Sequence, residues 1–205
     1  EDPSSFKVPC VIVTTSAENW SMEELSSVSI DDEKAGETIV DYLIEYGHTK
    51  IAEIGANLEL SQTAILRHNG YLNSLKKHGI TPDERYYERA RFSYDSAYRA
   101  MKKLLEKDIE ITAVYAISDV MAIGAIRAIL DKGLRVPEDI SITGFDGSTL
   151  AEYYNPKIVS IRQPHKDMAA RSVELLFNMI DLHKGSCHEI IPFELTEGES
   201  VARID

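Results

Sequence analysis

Residues 114–148 read VYAISDVMAIGAIRAILDKGLRVPEDISITGFDGS, and the fold turns on how this stretch is read. The apolar run Ile111 to Ile117 predicts a short buried strand. Ser118-Asp119 then opens a helix that continues to Asp131 and stops at Gly133. A turn containing Pro137 leads into a second apolar run, Ile140 to Phe145. That run ends at Gly144-Phe145-Asp146-Gly147-Ser148, which places an acid between two glycines at the carboxyl end of a strand. Strand, helix and strand in this order predict one unit of a parallel sheet.

The same rhythm extends in both directions. Upstream, strands are predicted over Val8 to Thr15, Val28 to Ile30, Ile51 to Gly55 and Tyr86 to Phe92. A helix capped at Asp31-Asp32 carries Ala35, Ile39, Val40, Leu43 and Ile44 on one face and stops at Gly47. A second helix opens at Ser61 or Thr63, carries Ile65, Leu66, Leu72 and Leu75, and ends at Gly79. A third is capped by Ser93 or Ser96 and carries Ala97, Met101, Leu104 and Leu105. Downstream come a short strand, Ile158 to Ile161, and a helix from His165 to Leu182 with Met168, Val173, Leu176, Met179 and Ile180 inward. A last strand, His188 to Leu195, contains Pro192 and so belongs at a sheet edge. The whole predicts an α/β fold, a doubly wound and mostly parallel sheet with helices on both faces.

The 205 residues, 43% of them hydrophobic, can bury a real core as one domain or two small lobes. No apolar run approaches the ~18 residues of a membrane span, and Glu1-Asp2-Pro3-Ser4-Ser5 lacks the pattern of a secretion signal. The chain has no initiator Met, so it reads as a fragment or a processed piece. Cys10 and Cys187 lie far apart, which favours a reducing cytoplasm over a disulfide framework. The net charge of −12 argues against a nucleic-acid or anionic-membrane surface, because phosphates are neutralised by a local excess of Lys and Arg. P-loop, dinucleotide, nucleophile-elbow and zinc-protease motifs are absent from the sequence, and no cofactor is expected. His183 and His188 straddle Gly185 and read as a surface loop rather than a metal site.

In an open parallel sheet, ligands bind outside the carboxyl ends of the strands. Arg67, Phe92, Tyr94, Ser118, Asp119 and Asp146 all follow such ends. Carboxylates and a guanidinium pair with vicinal hydroxyls, and an aromatic face covers the apolar side of a sugar ring. Each residue also has a plainer reading. Arg67 fits a solvated helix position, Phe92 a core position and Tyr94 the surface. Ser118 fits an N-cap, Asp119 the dipole-favoured first turn, and Asp146 local turn chemistry.

The segments SVSIDDEKAGETIVDYLIEYGHTKIAEIG (27–55), RHNGYLNSLKKHGI (67–80), FSYDSAYRAMKKLL (92–105), 114–148 and IVSIRQPHKDMAARSVELL (158–176) resemble, in order, the effector-binding region of LacI/GalR-family transcriptional regulators. The resemblance implies the type I periplasmic-binding-protein-like fold. It places the effector-binding Arg of an R-x-x-G-[YFW] motif on Arg67, the acid of a G-[FY]-D motif on Asp146 and the stacking aromatic on Phe92. Many members read Asn-Asp where this chain has Ser118-Asp119, which implies a different effector. Gln163 falls where the chain crosses between lobes. The resemblance further implies that residues 1–30 and 162–185 are a partial N-terminal lobe, with 31–161 and 186–205 a nearly complete C-terminal lobe. A sugar-responsive, dimeric sensor is expected, without catalysis, that meets DNA only through a head outside this chain. The apolar helices at 119–130 and 168–180 are candidate dimer surfaces. A transporter's sugar-binding protein of the same fold is the alternative expectation.

Overall fold

The computed structural model describes residues 8–17, 25–59, 61–181 and 185–204. Trp20, the expected helix end at Leu182 and His183 lie outside these described residues. The chain forms two compact units, residues 1–31 with 163–193 and residues 32–162 with 194–205.

The smaller unit holds a three-stranded parallel sheet of β1 (Cys10–Val13), β2 (Leu25–Ser29) and β8 (His188–Ile190), with β2 in the middle. Helix α6 (His165–Asp181) packs against β1 and β2. The expected strand over 188–195 is therefore two strands. Its first half pairs with β2 here, and its second half, β9 (Glu194–Thr196), joins the other unit antiparallel to β7 (Val159–Arg162). Residues 186–193 accordingly sit in the smaller unit, not with the larger lobe. The inward face of α6 also differs from expectation. Met168, Leu175 and Met179 are buried, while Val173 and Ile180 are exposed together with Phe177.

The larger unit is a six-stranded sheet in the order β4-β3-β5-β6-β7-β9, parallel except for its β9 edge. Its other strands are β3 (Ile51–Gly55), β4 (Tyr87–Arg89), β5 (Ala113–Ala116) and β6 (Ser141–Asp146). The remaining helices are α1 (Asp32–Glu45), α2 (Gln62–Lys77), α3 (Tyr94–Glu106), α4 (Asp119–Asp131) and the short α5 (Thr149–Tyr153). The chain steps from β3 outward to β4, then returns across β3 to β5 and onward to β6. Parallel crossovers are right-handed, so this reversal puts α2 on one face and α3 with α4 on the other. Helix α1 pairs with α2, and α3 with α4. With both faces covered, β3 and β5 are wholly buried. The reversal also makes the carboxyl ends of β3 and β5 the switch point where such sheets bind ligands.

Two glycines bring α1 and α2 together. A Cβ on Gly36 would meet the Arg67 carbonyl at 2.7 Å, and one on Gly70 would meet the Glu33 carbonyl at 2.3 Å. This close approach turns α2 so that Ala64, Arg67, Gly70, Tyr71, Ser74 and Leu75 are buried, in place of the expected Ile65, Leu66 and Leu72. Asp32, in the first turn of α1, takes the Arg67 Nε–H at 2.8 Å, and both side chains are almost fully enclosed. On α2, next to Arg67, His68 Nδ1 lies 2.6 Å from Oε2 of Glu53, a carboxyl with no exposed surface on β3. The Tyr87 ring meets the imidazole edge-on at 5.2 Å.

Two outcomes follow from these buried pairs. Asp32→Ala removes the buried carboxylate that accepts the Arg67 Nε–H, and urea denaturation should show a loss of about 3–5 kcal/mol. Asp32→Ala combined with Arg67→Met should lose less than Asp32→Ala alone. The second concerns pH. The hydrogen bond to Glu53 holds His68 above its ordinary value, and burial raises the Glu53 carboxyl. Both shifts mean that the folded pair binds its proton more tightly than the unfolded chain does. The stability it supplies is complete below the unfolded histidine value of ~6.5 and is lost as pH rises through the higher folded one. Melting temperatures taken from pH 6 to 9 should fall more steeply for the wild type than for the double variant Glu53→Gln/His68→Gln. Parallel slopes would exclude this pair as the cause.

Candidate functional site

The switch point collects polar groups around Arg67. Besides its bond to Asp32, Arg67 donates from Nη1 to the Ile117 carbonyl at 2.6 Å, just beyond the end of β5. Its guanidinium carbon sits 3.6 Å over the centre of the Phe145 ring. The same Nη1 is 3.6 Å from Oδ1 of Asp146, the last residue of β6. That separation is too long for a hydrogen bond but close enough for strong attraction. Nη2 makes no hydrogen bond to the described residues. Arg67 is thus a fixed, buried cation with one nitrogen uncommitted, not the solvated helix residue that its sequence context also allowed.

Asp146 keeps 30% of its side-chain surface accessible. Its backbone φ is +113°, in a region that non-glycine residues avoid, at a cost of about 1–3 kcal/mol. Gly147 follows at φ +63°, and a Cβ there would press on the Arg162 backbone at 2.5 Å. The turn is therefore forced, and what forces it is Asp119. This carboxylate is buried and accepts the Ser148 N–H at 2.6 Å and the Ser160 hydroxyl at 2.6 Å. The Ser160 hydroxyl oxygen in turn accepts the Gly147 N–H at 3.1 Å. A Cβ on Gly144 would collide with Asp119 Oδ1 at 2.3 Å, so only glycine lets the carboxylate reach the loop. Burial raises the Asp119 carboxyl above its usual range, against these hydrogen bonds that lower it.

Arg67 and Asp146 are the two expected site residues that the fold brings together. Phe92 is exposed rather than core, and lines a cavity of about 520 Å³ at the carboxyl ends of β3 and β4. Tyr94 is exposed as well. Ser118 is buried, and its oxygen caps α4 by accepting the Met121 N–H at 3.3 Å. Asp119 is spent on the β6 loop, as described. Gln163 belongs to the smaller unit, where its carbonyl accepts the His165 N–H at 2.8 Å.

Sequence reasoning missed Asp32, which it took only as a helix cap, along with the Ile117 carbonyl and Ser160. Asp32 could have been suspected, because Asp31-Asp32 offers one more acid than a cap needs. A backbone carbonyl leaves no sequence signal. Among the described residues, no cluster of His, Cys, Asp and Glu is arranged to hold a metal ion. No described helix is long and apolar enough to cross a membrane.

The sequence pattern of the periplasmic binding protein-like domain matches residues 40–201. The HTH-type transcriptional regulator MalR of Clostridium butyricum is 38% identical over 206 residues, covering 97% of this chain and 59% of that protein. A solved complex of the transcriptional regulator CelR with cellobiose superimposes with a TM-score of 0.85 at 28% identity, over 94% of this chain and 65% of that one. A crystal structure of a LacI family transcriptional regulator from Enterococcus faecium with bound ribose gives a TM-score of 0.85 at 26% identity, over 96% and 72%. The chain spans about half the length of the curated relatives it matches. Fold, matched pattern and relatives agree: the chain belongs to the periplasmic binding protein-like family, in the form carried by LacI/GalR-type transcriptional regulators.

Proposed function

We propose that this chain is the effector-sensing region of a LacI/GalR-type transcriptional regulator, and that its effector is a sugar or sugar derivative. The observation that carries the reading is the Arg67–Asp146 arrangement. The two charges sit 3.6 Å apart, each held from behind and neither saturated by the other. A ligand hydroxyl can donate to the Asp146 carboxylate while a neighbouring oxygen accepts from the guanidinium. Vicinal hydroxyls on a ring present that pair of groups, and Phe92 offers an apolar face farther along, at the ends of β3 and β4. The cellobiose and ribose bound by the two related regulators support the ligand class.

We assign no catalysis. Asp32 and the Ile117 carbonyl fix Arg67, and the named relatives are regulators of transcription rather than enzymes. DNA contact is proposed to belong to a separate head, since a net charge of −12 repels phosphate. The site would act in the cytoplasm, where such regulators meet DNA. Effector binding changes DNA affinity only to the extent that the effector prefers one conformation of the regulator over another. Self-association is proposed through α6, whose Val173, Phe177 and Ile180 are each at least half exposed on one helical stripe. The apolar stripe of α4 is spent inside its own unit, which leaves it little to offer a partner.

Calorimetric titration with a panel of mono- and disaccharides tests the site. Asp146→Asn should weaken binding of the responding sugar by about 1.5–3 kcal/mol, the range for a hydrogen bond to a charged group, with the melting temperature nearly unchanged. A responding sugar bound equally well by wild type and variant would remove Asp146 from the site.

A further inference from the structure

The cavity at the ends of β3 and β4 has a chemistry that a neutral sugar does not require. We propose that it receives an anionic oxygen group, the phosphoryl or carboxylate substituent of a sugar derivative. This inference rests on the effector-sensing reading above and specifies the ligand further.

Arg89 ends β4, and Arg91 lies two residues on. Both line the cavity and both are exposed. Among the described residues, neither guanidinium has a carboxylate within ion-pair distance. That sets them apart from much of this acidic chain, where Lys77, Arg85, Lys107, Arg135 and Arg171 are each ion-paired. Among the described residues, the only side-chain hydrogen bond of Arg89 or Arg91 runs from Arg89 Nη1 to Asn57 Oδ1, at 3.2 Å.

The rest of the lining is a set of donors. Asn57 Oδ1 also accepts the Glu59 N–H at 3.1 Å, which leaves the Asn57 amide N–H groups to donate. Ser61 Oγ accepts the Ala64 N–H at 3.2 Å, and Ser96 Oγ accepts the Arg91 N–H at 2.8 Å. Each hydroxyl then still has its proton to give. Ser61 is also the N-cap of the sixteen-residue α2, so the positive end of that helix opens onto the cavity. Two unpaired guanidiniums, an amide and two hydroxyls all donate, and no described lining residue carries a carboxylate. A neutral hydroxyl can also be held here, giving its proton to the remaining lone pair of a serine oxygen, but it supplies nothing to offset the two guanidinium charges. A phosphoryl or carboxylate group only accepts, and it supplies the missing counter-charge.

The sheet sets the reach. The end of β4 is three strand positions from the end of β6, about 14 Å at the usual strand spacing. One pyranose ring lying against Asp146 does not cover that span, so a substituent must carry the anion toward Arg89 and Arg91.

The experiment is titration calorimetry with glucose, maltose, glucose 6-phosphate, glucuronate and inorganic phosphate. Each is run on wild type, Arg89→Gln/Arg91→Gln, Asp146→Asn and the surface control Arg99→Gln. The inference expects a sugar phosphate or sugar acid to bind more tightly than its neutral parent and to weaken with added salt. It expects the double arginine variant to lose about tenfold or more in affinity for that ligand, as charged hydrogen bonds require, and Arg99→Gln to lose none. An anionic sugar that binds wild type and the double arginine variant alike, or no more tightly than its neutral parent, would overturn the inference and leave the sensor reading standing. An anionic sugar that loses affinity in the arginine variant but not in Asp146→Asn would sustain the anion site while removing the Asp146 site. Equal binding of free phosphate and sugar phosphate would reduce the cavity to a simple anion trap and overturn it as an effector subsite. Failure of every probe to bind the folded protein would count against both.

Discussion

The buried contact between Arg67 and Asp32 is the constraint on which the site depends. A guanidinium with almost no exposed surface is tolerated only if its charge and its N–H groups are answered. Here Asp32 answers the charge, the Ile117 carbonyl takes a second N–H, and the Phe145 ring covers one face. None of this is possible unless α1 and α2 approach within backbone contact, and Gly36 and Gly70 permit that approach. An alanine at either glycine would push the helices apart. Two residues without side chains therefore determine the position of the buried cation.

The second half of the site is built in the opposite way. Arg67 is fixed by being enclosed, whereas Asp146 is fixed by its backbone. Its φ of +113° is unfavourable by itself and persists because Asp119 and Ser160 hold the next two peptide N–H groups. Removing the Asp119 carboxylate would release the turn before it disturbed any ligand contact. Asp119 thus holds the turn that carries Asp146. Its place beside Ser118, at the end of a strand, allowed a ligand role as well as a place in the dipole-favoured first turn; in the structure its oxygens accept from Ser148 and Ser160.

Much of the larger unit was legible in the sequence, for a physical reason. Short apolar runs ended by Gly, Pro or a capping Ser or Asp are decided locally, so β3, α4 and the approximate limits of β5 and β6 follow from periodicity alone. What was not legible depends on partners distant in sequence. The stretch 188–195 has one composition but two fates, because β2 and β7 offer it separate edges. The buried face of α2 is set by the glycines of the α1 contact, which outweigh the apolar pattern of Ile65, Leu66 and Leu72. In the site, Arg67 and Asp146 could be named because the resemblance named them. The burial of Arg67, the role of Asp32 and the structural use of Asp119 could not, since each is a contact across 29 residues or more.

The two ends of the ligand surface proposed for the larger unit differ in rigidity as well as in charge. Arg67 and Asp146 are ordered by the fold, so the entropy of holding them is spent before any ligand arrives, and contacts made there convert efficiently into affinity. Arg89 and Arg91 are long, exposed side chains, and a ligand that engages them must also immobilise them, at about 0.5–1.5 kcal/mol each. Charge–charge attraction offsets that loss only when the incoming group is itself charged. The rigid end therefore suits recognition of the ring hydroxyls common to many sugars. The mobile end adds little for a neutral ligand and a net gain for an anionic one, which makes it the part of the surface best placed to discriminate.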